Sequence, residues 1–315
     1  MPNRRSAFTL IELLAATGIM VVMVLLVLNL TTQVLDTWSY STGKLTQNFE
    51  SRVAIDMVTE DLQTAVFRNN QKAWLEVRQN TAGTGAPSGT DTFSELHFFA
   101  QPVNRQTTSG TQELLGDVCL MTYKVAYQNP FTPTAGSGQQ FGLYRSIIDS
   151  ENTFNIALDI GDFPPLTNNL TALWSSGQLA RYADDGTTDA NLTYANITDS
   201  VNYLSANVVD FQVRFAYEST VRDGDGDYVI EMIDNNNFPG YAGFIYNGAQ
   251  VYLIHDSSVI SDFRRLVYAD ISVTVLNDEG AGMLDGGFTP DDWYEFKAVF
   301  GETFSRRVYL MSQPL

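Results

Sequence analysis

The chain contains few cysteines, few histidines and little positive charge, and each shortage argues against a particular kind of site or function. Its 315 residues include one cysteine, two histidines, and 18 lysines plus arginines against 36 acidic residues, for a net charge of -18. The single cysteine, Cys119, excludes an intramolecular disulfide, and we expect it to be a small buried core residue. We likewise expect His97 and His255 to be ordinary core or surface residues rather than metal ligands. The acidic balance argues against nucleic-acid binding, which needs basic patches to neutralise phosphates.

Known catalytic motifs are missing as well. The sequence contains no P-loop, no G-x-S-x-G, no H-E-x-x-H and no dinucleotide-binding fingerprint. Nothing singles out a carboxylate pair for glycoside hydrolysis. The sequence therefore predicts a structural or binding protein rather than an enzyme, with no cofactor certain.

One long hydrophobic run is present, from Phe8 to about residue 30. A helix of this length spans about 30 Å, the thickness of a bilayer's hydrocarbon core. Arg4 and Arg5 precede the run, and the next basic residue is Lys44. Because positive charge is retained on the cytoplasmic side, the pattern predicts a single-pass protein with a cytoplasmic N-terminus and an exported remainder.

Glu12 lies near the start of this run, where a carboxylate is costly. A secretory signal peptide would have small residues at a cleavage site after the run, but the chain continues NLTTQVLDTW. A plain signal anchor fits the length of the run and leaves Glu12 unexplained. The surrounding stretch, RRSA-FTLIELL, offers a third interpretation.

RRSA-FTLIELL resembles the class III leader of type IV pilins and of the pseudopilins of type II secretion. The resemblance implies that a prepilin peptidase removes the leader, residues 1–7, by cutting between Ala7 and Phe8, and methylates the new amino group of Phe8. Ala7 stands where the family usually has glycine. Glu12 would become the fifth residue of the mature chain and pair with the Phe8 amine of its own or a neighbouring subunit, because buried charges are tolerated when paired. That pairing would set the axial register of a filament.

Three later segments, FESRVAIDMVTEDLQTAV, VVDFQVRFAY and VYADISVTVLND, more loosely resemble J-type minor pseudopilins and W-type minor pilins. The resemblance implies a minor subunit near the tip of a type IV pilus or type II secretion pseudopilus, reached from the inner membrane. Its implied partners are the prepilin peptidase, other pilins or pseudopilins and an inner-membrane assembly platform. Two alternatives remain: a tip adhesin or substrate-recognition module that uses residues 149–200 and 235–248, and a membrane-anchored periplasmic enzyme.

Residues 31–68 are predicted to continue the membrane helix, residues 8–30, as an amphipathic segment packed on the head. Apolar residues recur near a helical period of 3.6, and the other side of the helix is expected to be polar. The predicted apolar face comprises Leu45, Phe49, Val53, Met57, Leu62 and Val66, and the predicted polar side comprises Glu50, Arg52, Asp56, Glu60 and Asp61.

Residues 69–315 are rich in short alternating segments bounded by Gly, Asn, Asp and Pro, which indicates strands. We therefore predict an α+β fold, in which the long N-terminal helix lies on a largely antiparallel sheet, or two sheets. The acidic stretch 277–293 is expected to be a solvated loop. Residues 149–200 show few strand signals and are expected to form a long surface excursion.

The best candidate for a ligand site is DGDGDYVIEMID, residues 223–234. Its acidic residues follow the spacing of a calcium-binding loop: Asp223, Asp225, Asp227, Glu231 and Asp234. Tyr228 occupies the position where such a loop needs glycine. The alternative is a hairpin turn, since Asp-Gly is favoured in type I′ turns between strands. Both interpretations, Ca²⁺ site and plain turn, are open at this point.

Overall fold

The computed structural model describes residues 10–68, 73–80, 86–87, 92–101, 118–131, 138–148, 153, 197, 200–254 and 258–310. The described residues form a long N-terminal helix, antiparallel strands and two short helices, which confirms the predicted α+β class. The chain divides into two compact units, residues 1–46 and residues 47–315.

The helix α1, Leu10–Gln63, runs through the end of the first unit into the second. In the first unit its large apolar side chains are exposed, and this part is long and apolar enough to cross a membrane. Its threonine hydroxyls donate to carbonyls three or four residues earlier, as Thr31 does to Val27 at 2.8 Å. The same bond is made by Thr17, Thr32, Thr37 and Thr42. These hydroxyls are therefore satisfied within the helix, which suits an apolar environment.

The second unit contains eleven described strands. In chain order they are β1 Leu75–Asn80, β2 Phe93–Ala100, β3 Cys119–Gln128, β4 Gln140–Ile148, β5 Tyr203–Ala206, β6 Val208–Arg222, β7 Tyr228–Met232, β8 Gly243–Tyr246, β9 Val251–Leu253, β10 Phe263–Leu276 and β11 Gly301–Tyr309. They form a seven-stranded sheet, ordered β5-β4-β3-β2-β1-β8-β9, and a four-stranded sheet, ordered β11-β10-β6-β7. Every described strand pairing is antiparallel, as predicted.

The core lies between these two sheets and the last third of α1, residues 47–63. Aromatic side chains join the sheets: the ring centroids of Tyr123 and Phe211 are 6.3 Å apart, and those of Phe215 and Phe244 are 5.5 Å apart. Cys119 is buried, as expected of a core residue. The strands follow the local alternation of the sequence because one side chain in two must reach this core.

The buried face of α1 differs from the predicted one. Within the second unit the helix buries Gln47, Ser51, Ala54, Ile55, Val58, Thr59, Asp61 and Leu62. Phe49 is 71% exposed, and Val53 and Met57 are only partly buried. The predicted polar side was wrong for Asp61, which is buried by partners on the sheet. The helix also ends at Gln63 rather than 68, because the following segment pairs with the end of β2, where Val66 N donates to Phe99 O at 2.8 Å.

Two short helices connect β10 to β11: α2, Asp278–Asp285, and α3, Trp293–Phe300. The solvated loop expected over 277–293 was therefore wrong. Asn277 caps α2 by accepting from Gly280 N at 2.8 Å, and Asp292 caps α3 by accepting from Tyr294 N at 2.8 Å. Trp293 anchors α3 against β4, with its ring centroid 5.9 Å from that of Phe141. These cap residues were the signal for helix in the sequence.

Candidate functional site

The predicted processing site, Ala7 and Phe8, lies outside the described residues. Glu12 lies in the first turn of α1 and is exposed. The next charged residue is Asp36, about 36 Å further along the helix at 1.5 Å per residue. The structure thus places Glu12 at one end of a charge-free helical segment as long as a membrane is thick. Its pairing with the Phe8 amine stays a prediction.

The predicted calcium loop forms the hairpin between β6 and β7. The Asp223 carboxylate accepts from the backbone N–H groups of Asp225, at 3.0 Å, and Asp227, at 2.9 Å. The backbone closes the turn through Asp223 N to Asp227 O at 2.8 Å, and Gly226 adopts a positive φ of 90°. Asp223 is therefore used to cap a turn, which satisfies backbone donors that the hairpin leaves unpaired.

The other two residues of the calcium motif lie elsewhere. Glu231, on β7, accepts a hydrogen bond from the Tyr217 hydroxyl at 2.8 Å. Asp234 caps the next turn by accepting from Asn236 N at 3.0 Å. In the part of the chain that the structure describes, no group of three or more His, Cys, Asp or Glu side chains could hold a metal ion. The geometry therefore fits the turn better than a twelve-residue calcium loop, and Ca²⁺ binding stays an untested prediction.

A buried charge network joins α1 to the seven-stranded sheet. Arg145, on β4, donates to both carboxylate oxygens of Asp61, through Nε to Oδ2 at 2.8 Å and Nη2 to Oδ1 at 2.9 Å. The Tyr123 hydroxyl donates to the same carboxylate and accepts from Arg145 Nε at 3.0 Å. Burial, together with the charge of Asp61, raises the pKa of Tyr123 well above its usual value. This bidentate pair fixes the helix on the sheet, and no local sequence pattern predicts it.

A second buried network crosses β1, β2 and β3. His97 Nδ1 lies 3.0 Å from Thr122 Oγ1, and His97 Nε2 lies 3.2 Å from Glu95 Oε1. Lys124 Nζ is 3.5 Å from Glu95 Oε2, which also accepts a hydrogen bond from Asn80. Burial alone would raise the pKa of Glu95, but the hydrogen bond and charge of His97, the Lys124 charge and the Asn80 bond together lower it to about 2.

The order threonine, histidine, glutamate is that of a nucleophile, a base and an orienting acid. Thr122 and His97 are completely buried and Glu95 is 1% exposed, so a substrate in solution does not reach them. The network is consistent with the core role expected for His97. It therefore gives no support to the anchored-enzyme alternative.

The contact surface predicted for the adhesin alternative comprises residues 149–200 and 235–248, and the structure describes mainly the second segment. Of residues 149–200, the structure describes only 153, 197 and 200. In the second segment, Phe238 and Tyr241 pack against the core, and Phe244 and Tyr246 belong to the buried strand β8. Burial, with a contribution from Asp234, raises the pKa of Tyr241. The aromatic residues of this segment therefore serve packing.

The described residues define an α+β protein whose N-terminal helix is long and apolar enough to cross a membrane once. No family model, curated protein or solved structure matches the chain.

Proposed function

We propose that the protein is a minor pilin or pseudopilin subunit, processed between Ala7 and Phe8 and assembled through its N-terminal helix into a type IV pilus or type II secretion pseudopilus. One observation carries the proposal: RRSA-FTLIELL stands directly before and across the start of α1, which is apolar and exposed at first and part of the head core later. The apolar segment and the core residues of the head therefore belong to one helix, Leu10–Gln63.

The two parts of α1 support this use of the helix. The first half exposes aliphatic side chains such as Leu14, Val24 and Leu30 at 66%, 49% and 60%. An apolar surface of this size requires lipid or other helices around it. The last third, residues 47–63, supplies core residues of the head, so the head stays attached when the helix changes surroundings. Transfer from membrane to filament would exchange lipid contacts for helix contacts.

Glu12 supports the proposal through charge. After cleavage the Phe8 amine would be four residues from this carboxylate, within one helical turn. A neighbouring subunit could supply the amine instead. Only one axial offset between neighbouring helices would then pair each Glu12 carboxylate with a Phe8 amine. The protein would be inserted once in the inner membrane, with a cytoplasmic N-terminus and an exported head. Its partners would be the prepilin peptidase, other pilins and an inner-membrane platform, with placement near the tip.

The testing experiment is intact mass and N-terminal sequence of the protein recovered from membranes of cells that contain an active or an inactive prepilin peptidase. We expect a chain that begins with methylated Phe8 only with the active enzyme. A chain that begins at Met1 in both cells would contradict the proposal and leave a simple signal anchor. Cleavage after residue 30 would instead indicate a secretory signal peptide.

Orientation is tested separately with one introduced thiol. Ser305 is exposed on β11, and the natural Cys119 is buried, so Ser305→Cys would be the reactive position in intact cells. We expect a membrane-impermeant maleimide to label this variant once the outer envelope is permeable, without lysis of the inner membrane. Labelling that requires inner-membrane lysis would contradict export of the head.

A further inference from the structure

The outward face of the four-stranded sheet carries arginine and tyrosine in an otherwise acidic chain. The register aligns Arg214 on β6, Asp270 on β10 and Arg307 on β11 in one row. Their neighbours Val213 and Ile271 are completely buried, and successive side chains of a strand point to opposite faces, so this row faces outward.

The guanidinium groups on this face are held in place by rings and carboxylates. Arg307 lies 3.9 Å from the ring centroid of Tyr268 and is bidentate with Asp270 at 2.7 and 2.8 Å. Arg264 and Arg265 share Glu218 at 2.9 and 2.7 Å. Held this way, a guanidinium loses little freedom when it binds a partner.

We call this surface the arginine face: Arg214, Arg264, Arg265, Arg307, Tyr268 and Tyr309. Its members stay accessible, with Arg264, Arg265 and Arg307 side chains 45 to 48% exposed and Tyr309 68% exposed. Its four arginines exceed the two carboxylates that pair with them, Glu218 and Asp270, whereas the whole chain carries a net charge of -18. Arginine and tyrosine are also the residue types that dominate binding energy at protein interfaces.

A surface of opposite charge follows the C-terminal end of β10. The helical pair α2–α3 carries the exposed carboxylates of Asp285, Asp291 and Glu295. Among them, Tyr294 and Val299 are 81% and 64% exposed. Charge is thus complementary between the pair and the arginine face, and each surface also offers aromatic or apolar area.

We propose that the arginine face binds the α2–α3 pair of a second copy of this chain. Arg264 is near the start of β10 and α2 begins two residues after its end, about 45 Å away at about 3.3 Å per residue. Arg264 and Arg265, at this far end of the face, therefore cannot reach α2 within one molecule. The contact is therefore heterologous. In a dimer, one copy keeps an unoccupied arginine face and the other keeps an unoccupied α2–α3 pair, so further copies can add to form a short row.

Copies of a chain with a net charge of -18 repel one another as a whole, so attraction must be local. At physiological salt the Debye length is about 8 Å, which screens the general repulsion but not ion pairs in direct contact. Such a contact orients the copies and excludes arrangements that oppose like charges. It is independent of leader processing, so it can be tested on the uncut chain.

The test uses the full chain in detergent micelles and two cysteine variants, Ser305→Cys on the arginine-face side of β11 and Val299→Cys on α3. Cys119 is buried and does not compete. With a short bismaleimide, we expect crosslinked dimers when the two variants are mixed and not with either alone. Dimers of Ser305→Cys alone would indicate a symmetric face-to-face contact, and no dimers in the mixture would mean no contact; either result overturns the proposal.

Charge reversal separates this contact from association of the membrane helices. Arg214→Glu on the first variant, or Glu295→Arg on the second, should lower the crosslinked yield about tenfold, and combining them should restore most of it. Arg52→Glu, an exposed reversal on α1, is the matched control and should leave the yield unchanged. An equal yield for Arg214→Glu and Arg52→Glu, or loss without restoration, overturns the proposal.

Discussion

Arg145 on β4 donates two hydrogen bonds, of 2.8 and 2.9 Å, to the Asp61 carboxylate on α1. Both side chains are largely buried, at 11% and 3% exposure. A planar guanidinium matches a carboxylate in this geometry, and lysine would not. The pair therefore specifies the position of α1 on the sheet as well as contributing to stability.

We expect Asp61→Ala to lower the free energy of unfolding by about 3–5 kcal/mol, because Arg145 would keep a buried charge without its partner. Denaturant unfolding followed by tryptophan fluorescence measures this. The control is Asp56→Ala on the same helix, whose pair with Arg306 is exposed and should be worth at most about 1 kcal/mol. Similar losses for both variants would show that the buried pair has no special role.

The Glu95 network should make stability depend on acid pH. The pKa of Glu95 is lowered to about 2 in the folded chain from 4.5, so its contribution is complete above pH 4.5 and is lost as pH falls toward 2. The contribution of Glu95 totals about 3–4 kcal/mol, at about 1.4 kcal/mol for each unit by which its pKa is lowered. Glu95→Gln should flatten the profile of unfolding free energy between pH 5 and 2, and exposed Glu60→Gln should not. A profile unchanged by Glu95→Gln would refute this assignment.

Glu50 should act in the opposite direction. Its pKa is raised to about 6, first by burial and second by the nearby charge of Asp278. A carboxyl group whose pKa is raised on folding gives full stability below pH 4.5 and loses it as pH rises through 6. Glu50→Gln should therefore raise the melting temperature at pH 7.5 and leave it nearly unchanged at pH 4.5. The gain should be under about 1 kcal/mol because Glu50 is only half-buried; equal gains at both pH values would exclude a charge effect.

The β6–β7 hairpin gives a direct comparison between turn and calcium site. If Asp223 serves the turn, Asp223→Ala should cost about 1 kcal/mol of unfolding free energy, as loss of a cap does, and Asp225→Ala should cost little. Melting temperatures should then be the same with millimolar Ca²⁺ or with EDTA. A rise in calcium that Asp225→Ala abolishes would instead support the calcium site.

Glu12→Leu should leave membrane insertion intact, or improve it, since it removes a carboxylate from an apolar helix. Incorporation into filaments should fall strongly because the Phe8 amine would lose its partner. The measurement is the ratio of membrane-bound to filament-associated protein, with Asp36→Leu as a control for loss of one negative charge in α1. Normal incorporation of Glu12→Leu would remove the proposed role of this residue.

The fold class was predictable because its signals are local. VDFQVRFAY alternates so that Val213 and Phe215 are completely buried, and it forms the centre of β6. The apolar length of the first part of α1 follows from composition alone. The only sequence signals for the short helices α2 and α3 are their N-cap residues, Asn277 and Asp292. These signals are easily overlooked because the surrounding sequence is acidic and typical of a loop.

The buried networks were not predictable because their partners are far apart in sequence. Asp61 and Arg145 are separated by 84 residues, and no local pattern relates them. The helix offered two competing apolar rows, one through Phe49 and Val53 and another through Ala54 and Val58. Periodicity alone does not choose between them, because that choice depends on which row meets partners on the sheets.

The boundary at Gln47 has a practical and a temporal consequence. A fragment that starts after Gln63 would lack Ala54, Val58 and Leu62 of the core and the Asp61 partner of Arg145. A fragment that contains the whole second unit must therefore begin at or before Gln47. During synthesis, the strands emerge after this helix segment, so its apolar side chains are already available when the strands begin to pack.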